Sequence, residues 1–163
     1  MNPRIETIGP KKLVGRRLTM TLSGNKTVEL WKSFMPRRED LSNVMNKDVI
    51  SMTIYPPSYF LEFSPDHEFE KWATMEVSDF DRVPGDMEAY NLEGGLYAVF
   101  DYKGSGRDNS IFQEIFGTWL PGSSYELDNR PHFEILGKKY KNNDPSSEEE
   151  IWIPVKPKGE LIE

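Results

Sequence analysis

The order strand, helix, strand, strand occurs twice along this chain, and that recurrence constrains the fold more than any single motif. Its clearer copy opens with Leu96-Tyr97-Ala98-Val99-Phe100-Asp101-Tyr102, rich in aromatic and β-branched residues and stopped by Lys103-Gly104-Ser105-Gly106. A helix follows from Ile111 to Leu120. Ile111, Ile115 and Trp119, with Phe112 and Phe116, recur there at three- and four-residue spacing and lie along one side. Pro121-Gly122 ends it. Two strands come next, one around Phe133 to Leu136 and one from Glu150 to Val155, where Pro154 implies an edge or a strand end.

The first half repeats the order. Strand-like sequence runs from Arg4 to Leu22 and closes at Ser23-Gly24-Asn25. A helix then runs from about Thr27 through Leu30, Trp31, Phe34 and Met35 until Pro36 interrupts it, and two strands follow, Val49 to Tyr55 and Phe69 to Val77. Placing Phe34-Met35-Pro36 on Trp119-Leu120-Pro121 sets an offset of 85 that also puts Tyr55 on Tyr140 and Val14 on Val99. Few residues are identical, so the shared order is the evidence for an old duplication. The expectation is an α+β domain over residues 1–163, a duplicated βαββ unit with pseudo-repeats at about 1–80 and 86–158. Each helix has one apolar side and covers one face of an antiparallel sheet. The two uncovered faces are expected to meet about a pseudo-twofold axis along a central ligand groove.

Composition excludes several functions. A chain of 163 residues without cysteine has neither disulfides nor a thiolate metal site. His67 and His132 stand in opposite halves without further ligands at metal spacing, so no metal and no cofactor is expected. No apolar run has the length of a membrane span and the N-terminus does not read as a secretory signal, which makes the expected location cytoplasmic. A net charge of −7 argues against direct nucleic-acid binding. Lys103-Gly104-Ser105-Gly106-Arg107 lacks the Gly-Lys-Ser/Thr ending of a phosphate loop and reads as a turn.

A set of motifs carries a family resemblance: Gly95-Leu96-Tyr97-Ala98-Val99-Phe100, Lys103-Gly104, Phe116-Gly117-Thr118-Trp119-Leu120-Pro121, Ser124-Tyr125-Glu126-Leu127, Arg130-Pro131-His132-Phe133-Glu134 and Glu148-Glu149-Glu150-Ile151-Trp152-Ile153-Pro154-Val155-Lys156. In this order they resemble the GyrI-like, AraC-type effector-binding domain. Trp31-Lys32-Ser33-Phe34-Met35-Pro36 and Trp72-Ala73-Thr74-Met75-Glu76-Val77 are similar to its stand-alone branch. The resemblance implies a βαββ duplication that binds amphipathic, often cationic, small molecules, with an output in drug sequestration or communication with a separate regulator. It also implies two alternatives: hydrolysis of strained cyclopropane-type electrophiles, and protein binding of the gyrase-inhibitor kind. In multidrug regulators this domain is fused to a helix-turn-helix module, for which Met1 to Thr21 is too short and too strand-like.

Alternation in the last strand puts Glu150, Trp152 and Pro154 on one face and Ile151, Ile153 and Val155 on the other. An indole beside a carboxylate suits an apolar cation, and a desolvated Glu150 would also serve as a general acid or base. From pattern alone Glu148-Glu149-Glu150 reads equally as a solvated charge run. The resemblance implies a ligand-facing Glu on this strand, which is Glu150, while Glu148 and Glu149 read as solvated. In the first half Trp72 and Glu76 share a face and are the matching groove residues, Tyr97 closes one end, and Trp119 divides between core and ligand wall.

Overall fold

The computed structural model describes residues 2–104, 110–137, 140, 144 and 146–159. The strands are β1 (Arg4–Ile8), β2 (Lys11–Met20), β3 (Val49–Ile54), β4 (Phe69–Val77), β5 (Glu88–Leu92), β6 (Gly95–Lys103), β7 (Tyr125–Leu127), β8 (His132–Leu136) and β9 (Glu148–Pro157). Helix α1 (Thr27–Phe34) buries Leu30 and Phe34 and tightens into a 3-10 turn, Met35–Asp40, where Pro36 cannot donate to the α ladder. The second helix is segmented: α2 (Ser110–Glu114), a π-helical stretch (Ile115–Trp119) and α3 (Leu120–Gly122). Residues 105–107 of the glycine-rich turn lie outside the described residues.

The nine strands among the described residues join one antiparallel sheet, in the order β1-β6-β9-β8-β3-β4-β2-β5, with β7 on the far end of β9. The two βαββ units, β2-α1-β3-β4 and β6-α2-β8-β9, therefore meet edge to edge through β3 and β8, at the pairs Met52↔Phe133 and Ser51↔Glu134. One row shows the pseudo-twofold relation. Across the strands it reads Arg17, Trp72, Met52, Phe133, Trp152, Val99, Arg4, with the two tryptophans placed alike about the central pair. By this register Trp152 answers to Trp72, 80 positions earlier, and Val99 to Arg17, 82 earlier, so the offset of 85 holds for neither pair of strands. Each unit is also flanked by a strand from the other side of the chain: β1 pairs β6, and β5 pairs β2.

Both helices lie on the same face, over Val14, Ala73 and Met75 in one half and Ala98, Phe100, Ile151 and Ile153 in the other. The opposite face is closed rather than open. β5 ends at Leu92 and β6 begins at Gly95, yet β5 is the last strand of the order and β6 stands next to β1 at the other end, so the sheet curls almost into a barrel. Glycines permit the curl: a Cβ at Gly15 would collide with the Ala73 backbone, and one at Gly94 with the Ile8 carbonyl. The inward face then packs Leu13, Met52, Trp72, Leu92, Tyr97, Val99, Phe133 and Trp152 into one core.

Pro154 lies inside β9, not at its end. The β8 ladder runs only as far as Trp152 and the β7 ladder starts at Val155, so Pro154 falls where no outer strand asks for its missing N–H.

Candidate functional site

The helix-bearing face carries two apolar cores and a polar seam between them. α1 sits over β2 and β4, and α2 packs with β6 and β9, which leaves the central strands β3 and β8 beneath the gap. Alternation places Ser51 and Thr53 of β3, and His132 and Glu134 of β8, on that face, with Lys71 beside Thr53. Glu149 of β9 lies on the same face, opposite Tyr102. The helices cover their own halves, so the polar residues of the joint are the ones left between them.

Glu149 and Glu134 interact across this seam. Burial, reinforced by the Glu134 carboxylate and a hydrogen bond to it, pushes the Glu149 carboxyl up to about 8, with Lys71 opposing. At neutral pH Glu149 therefore keeps its proton and can donate it to Glu134 in a hydrogen bond. One carboxyl oxygen of Glu149 is buried and has no partner among the described residues. Two tyrosines attend the pair: burial raises the Tyr55 hydroxyl first, then Tyr59 and Glu134; burial likewise raises Tyr140, then Glu149 and Glu134.

A cavity of about 570 Å³ opens beside Glu149, lined by Asp48, Asp101, Lys103, Ile135, Glu148 and Glu150 among others. It forms where the sheet splits. β8 pairs β9 only at residues 150–152, whereas β9 runs back to Glu148 along β6 alone, so the gap between the two strands is walled by carboxylates from both faces. The carboxylate excess lining it suits a cation.

Aromatic rings close the other end of the seam. Tyr55 meets the His132 ring edge-on at 4.8 Å, and Tyr59 and Phe60 of the following loop pack on Tyr55 at 4.6 and 4.9 Å. His132 is buried there, and burial, then Arg130, pushes its imidazole down to about 3, so it is neutral.

Over residues 4–155 the sequence matches the family described as Cass2, integron-associated effector binding protein. The chain belongs to this family. Its relative BrlR, a transcriptional regulator of Pseudomonas aeruginosa, is 26% identical over 158 residues, which cover 95% of this chain and 56% of that protein's length. Among solved structures, SAV2435 bound to tetraphenylphosphonium superposes with a TM-score of 0.70 at 17% identity, covering 96% of this chain and 94% of that one. An integron cassette protein from the mobile metagenome of Vibrio cholerae superposes at 0.66, also at 17% identity, covering 95% and 96%. These two show the shared fold, and the family places the chain among effector-binding proteins.

Within this effector-binding fold, the residues singled out from sequence fall at four places. Trp72, Trp152 and Tyr97 do come together, but in the closed core of the curled face: Trp152 stacks on Phe133 at 5.1 Å and Tyr97 packs on both. The Tyr97 hydroxyl donates to the Pro131 carbonyl, and Arg130 lies over its ring. Glu150 accepts from the Trp152 indole at 3.1 Å and from Arg4 at 2.8 Å, half-exposed at the rim of the acidic cavity. Its counterpart in the first half is Glu70, which accepts from the Trp72 indole at 2.6 Å and from Arg17 at 2.8 Å. Glu76 points along the same face in the other direction from Trp72 and pairs with Lys11. Trp119 packs against Phe100 and Tyr125 in the second helix core.

Glu149 reads as solvated in the sequence, yet one of its carboxyl oxygens is buried. Glu134 and His132 stand in one of the quoted motifs, but nothing in the sequence brings them to one seam with Tyr55, because that depends on the β3–β8 pairing. Among the described residues no group of His, Asp and Glu could hold a metal, and no helix is long and apolar enough to cross a membrane.

Proposed function

We propose that the protein binds an amphipathic organic cation in the seam between its two helices, with Glu149 and Glu134 as the counter-charge, Glu150 at the rim and the aromatic rings around Tyr55 as the apolar wall. The observation that carries this reading is the Glu149 carboxyl, with one oxygen buried, at a cavity lined by carboxylates. A proton held in a partly buried site is exchangeable for another positive charge, and a cation that replaces it satisfies both carboxylates at once. Aromatic faces attract the same ligand. The tetraphenylphosphonium complex of SAV2435 supports the choice of probe, on the strength of a shared fold.

Calorimetric titration at pH 8 tests the proposal. Tetraphenylphosphonium is expected to bind, whereas tetraphenylborate, equal in shape and opposite in charge, is not. Removing one partner of a desolvated charge pair costs at least ~2 kcal/mol, so the Glu134→Gln, Glu149→Gln double variant should bind the cation roughly 30-fold more weakly. Equal binding of the two probes, or full affinity in the double variant, refutes the assignment.

A further inference from the structure

Between β3 and β4 the chain runs through Pro56-Pro57-Ser58-Tyr59-Phe60-Leu61-Glu62-Phe63, and this loop places its apolar side chains oddly. Leu61 is 84% exposed and Phe63 61%, while Phe60, at 38%, reaches across the joint between the halves. The Phe60 ring stacks on Phe116 of the π-helical stretch at 5.3 Å, and on His132 at 5.7 Å with only 16° between the planes. Tyr55 and Tyr59 meet it edge-on at 4.9 and 5.1 Å. Four aromatic groups from both halves thus form a slot, and a residue of the loop fills it.

The filling is held lightly. Phe60 itself belongs to no strand, and the loop's backbone bonds, Tyr59 to Pro56 and Leu61 to Ser58, are made within the loop. Its tethers to the rest of the protein lie on either side of Phe60: Tyr59, buried with Met20 and Phe69, and the far end, where Ser23 bonds Asp66 and the Pro65 carbonyl. On the opposite wall the π-helical stretch holds Phe116 beside Gly117, a short helical irregularity of the kind found at functional sites. His132 in the slot floor is an uncharged, flat surface that suits another aromatic ring.

We infer that Phe60 is an internal stand-in for an aryl group of the ligand: it occupies the slot in the unliganded protein and is displaced when a planar aromatic substituent enters. The inference rests on the proposed function and specifies the ligand class, a cation bearing flat aromatic groups as opposed to an alkyl cation of equal charge. On displacement the loop segment Phe60 to Phe63 lifts off the joint while Tyr59 stays in its core, and the Phe60 ring becomes exposed.

The experiment compares wild type, Phe60→Ala, Phe60→Leu and Phe116→Ala as full chains, titrated with tetraphenylphosphonium and with tetrabutylphosphonium. Emptying the slot should tighten tetraphenylphosphonium binding about five-fold in Phe60→Ala and leave tetrabutylphosphonium within two-fold. Phe60→Leu, which fills the slot without a flat ring, falls between, and Phe116→Ala weakens the aryl cation. Chymotrypsin, which cuts after Tyr, Phe and Leu, should cleave the loop faster in wild type when tetraphenylphosphonium is present. Unchanged or weaker aryl-cation binding by Phe60→Ala, or slower cleavage with ligand, overturns the stand-in while wild-type binding leaves the proposed function intact. Absence of binding by every variant and by wild type overturns both.

Discussion

Replacing Glu149 by glutamine tests the seam without any ligand. In the folded chain burial and Glu134 hold the Glu149 carboxyl at about 8, whereas an unperturbed glutamate lies at 4.5. The sign follows from linkage. Below 4.5 both states carry the proton and its folded-state contacts count in full; as pH rises toward 8 the unfolded chain ionises while the folded one keeps its proton, so that contribution is lost. Wild type should therefore become less stable between pH 5 and 8. The ceiling, at 1.36 kcal/mol per pH unit, is ~5 kcal/mol, and partial exposure of the carboxyl to water reduces it to roughly 2 kcal/mol. The glutamine side chain of Glu149→Gln has no proton to lose, and its amide donates to Glu134 as the acid did. For a chain of this size 2 kcal/mol corresponds to about 4–8 °C in melting temperature. Thermal unfolding followed by circular dichroism at pH 5, 6, 7, 8 and 9 should show Glu149→Gln more stable by that margin at pH 8 and within about 1 °C at pH 5. A variant that tracks wild type across the whole range, or is less stable throughout, shows that Glu149 is an ordinary ionised surface carboxylate.

Cation binding should release the Glu149 proton, so affinity for tetraphenylphosphonium is expected to rise from pH 6 to 8, and calorimetry in two buffers of different ionisation enthalpy should count about one proton released. His132 works in the opposite sense: its folded form is neutral down to about pH 3, so the stability it confers is present above 6.5 and lost as pH falls toward 3. His132→Gln should accordingly move the acid-unfolding midpoint to lower pH. Gly15→Ala should cost ~3 kcal/mol or more in urea unfolding, because its Cβ has no room against the Ala73 backbone, whereas Gly117→Ala, with nothing within 4 Å, should be neutral or mildly stabilising.

Much of the architecture is legible from local pattern, and particular residues show why. Phe69 to Val77 reads as a strand and forms β4 over that span, and Thr27 to Phe34 shows its apolar side and stops where Pro36 forbids continuation. β1, β5 and β7 do not stand out in the sequence as separate strands, since each is five residues or fewer and gains its stability from its neighbour. The site is less legible. The pairing of an indole with a carboxylate two residues before it is visible at Glu150 and Trp152. Face alternation alone points to Glu76 as the matching carboxylate in the other half, whereas the same spacing lies at Glu70 and Trp72.

The sequence by itself determined the two βαββ units, the helix faces and the alternation of each strand, because these depend on residues a few positions apart. Tertiary structure decided which face holds the seam. Curling of the sheet brings β5 and β6 together and seals the tryptophan face, and the joint of β3 with β8 leaves Glu134 and Glu149 between two helices that cannot cover them. Burial of a carboxyl, and with it the proton it holds, is a property of that packing and not of the run Glu148-Glu149-Glu150.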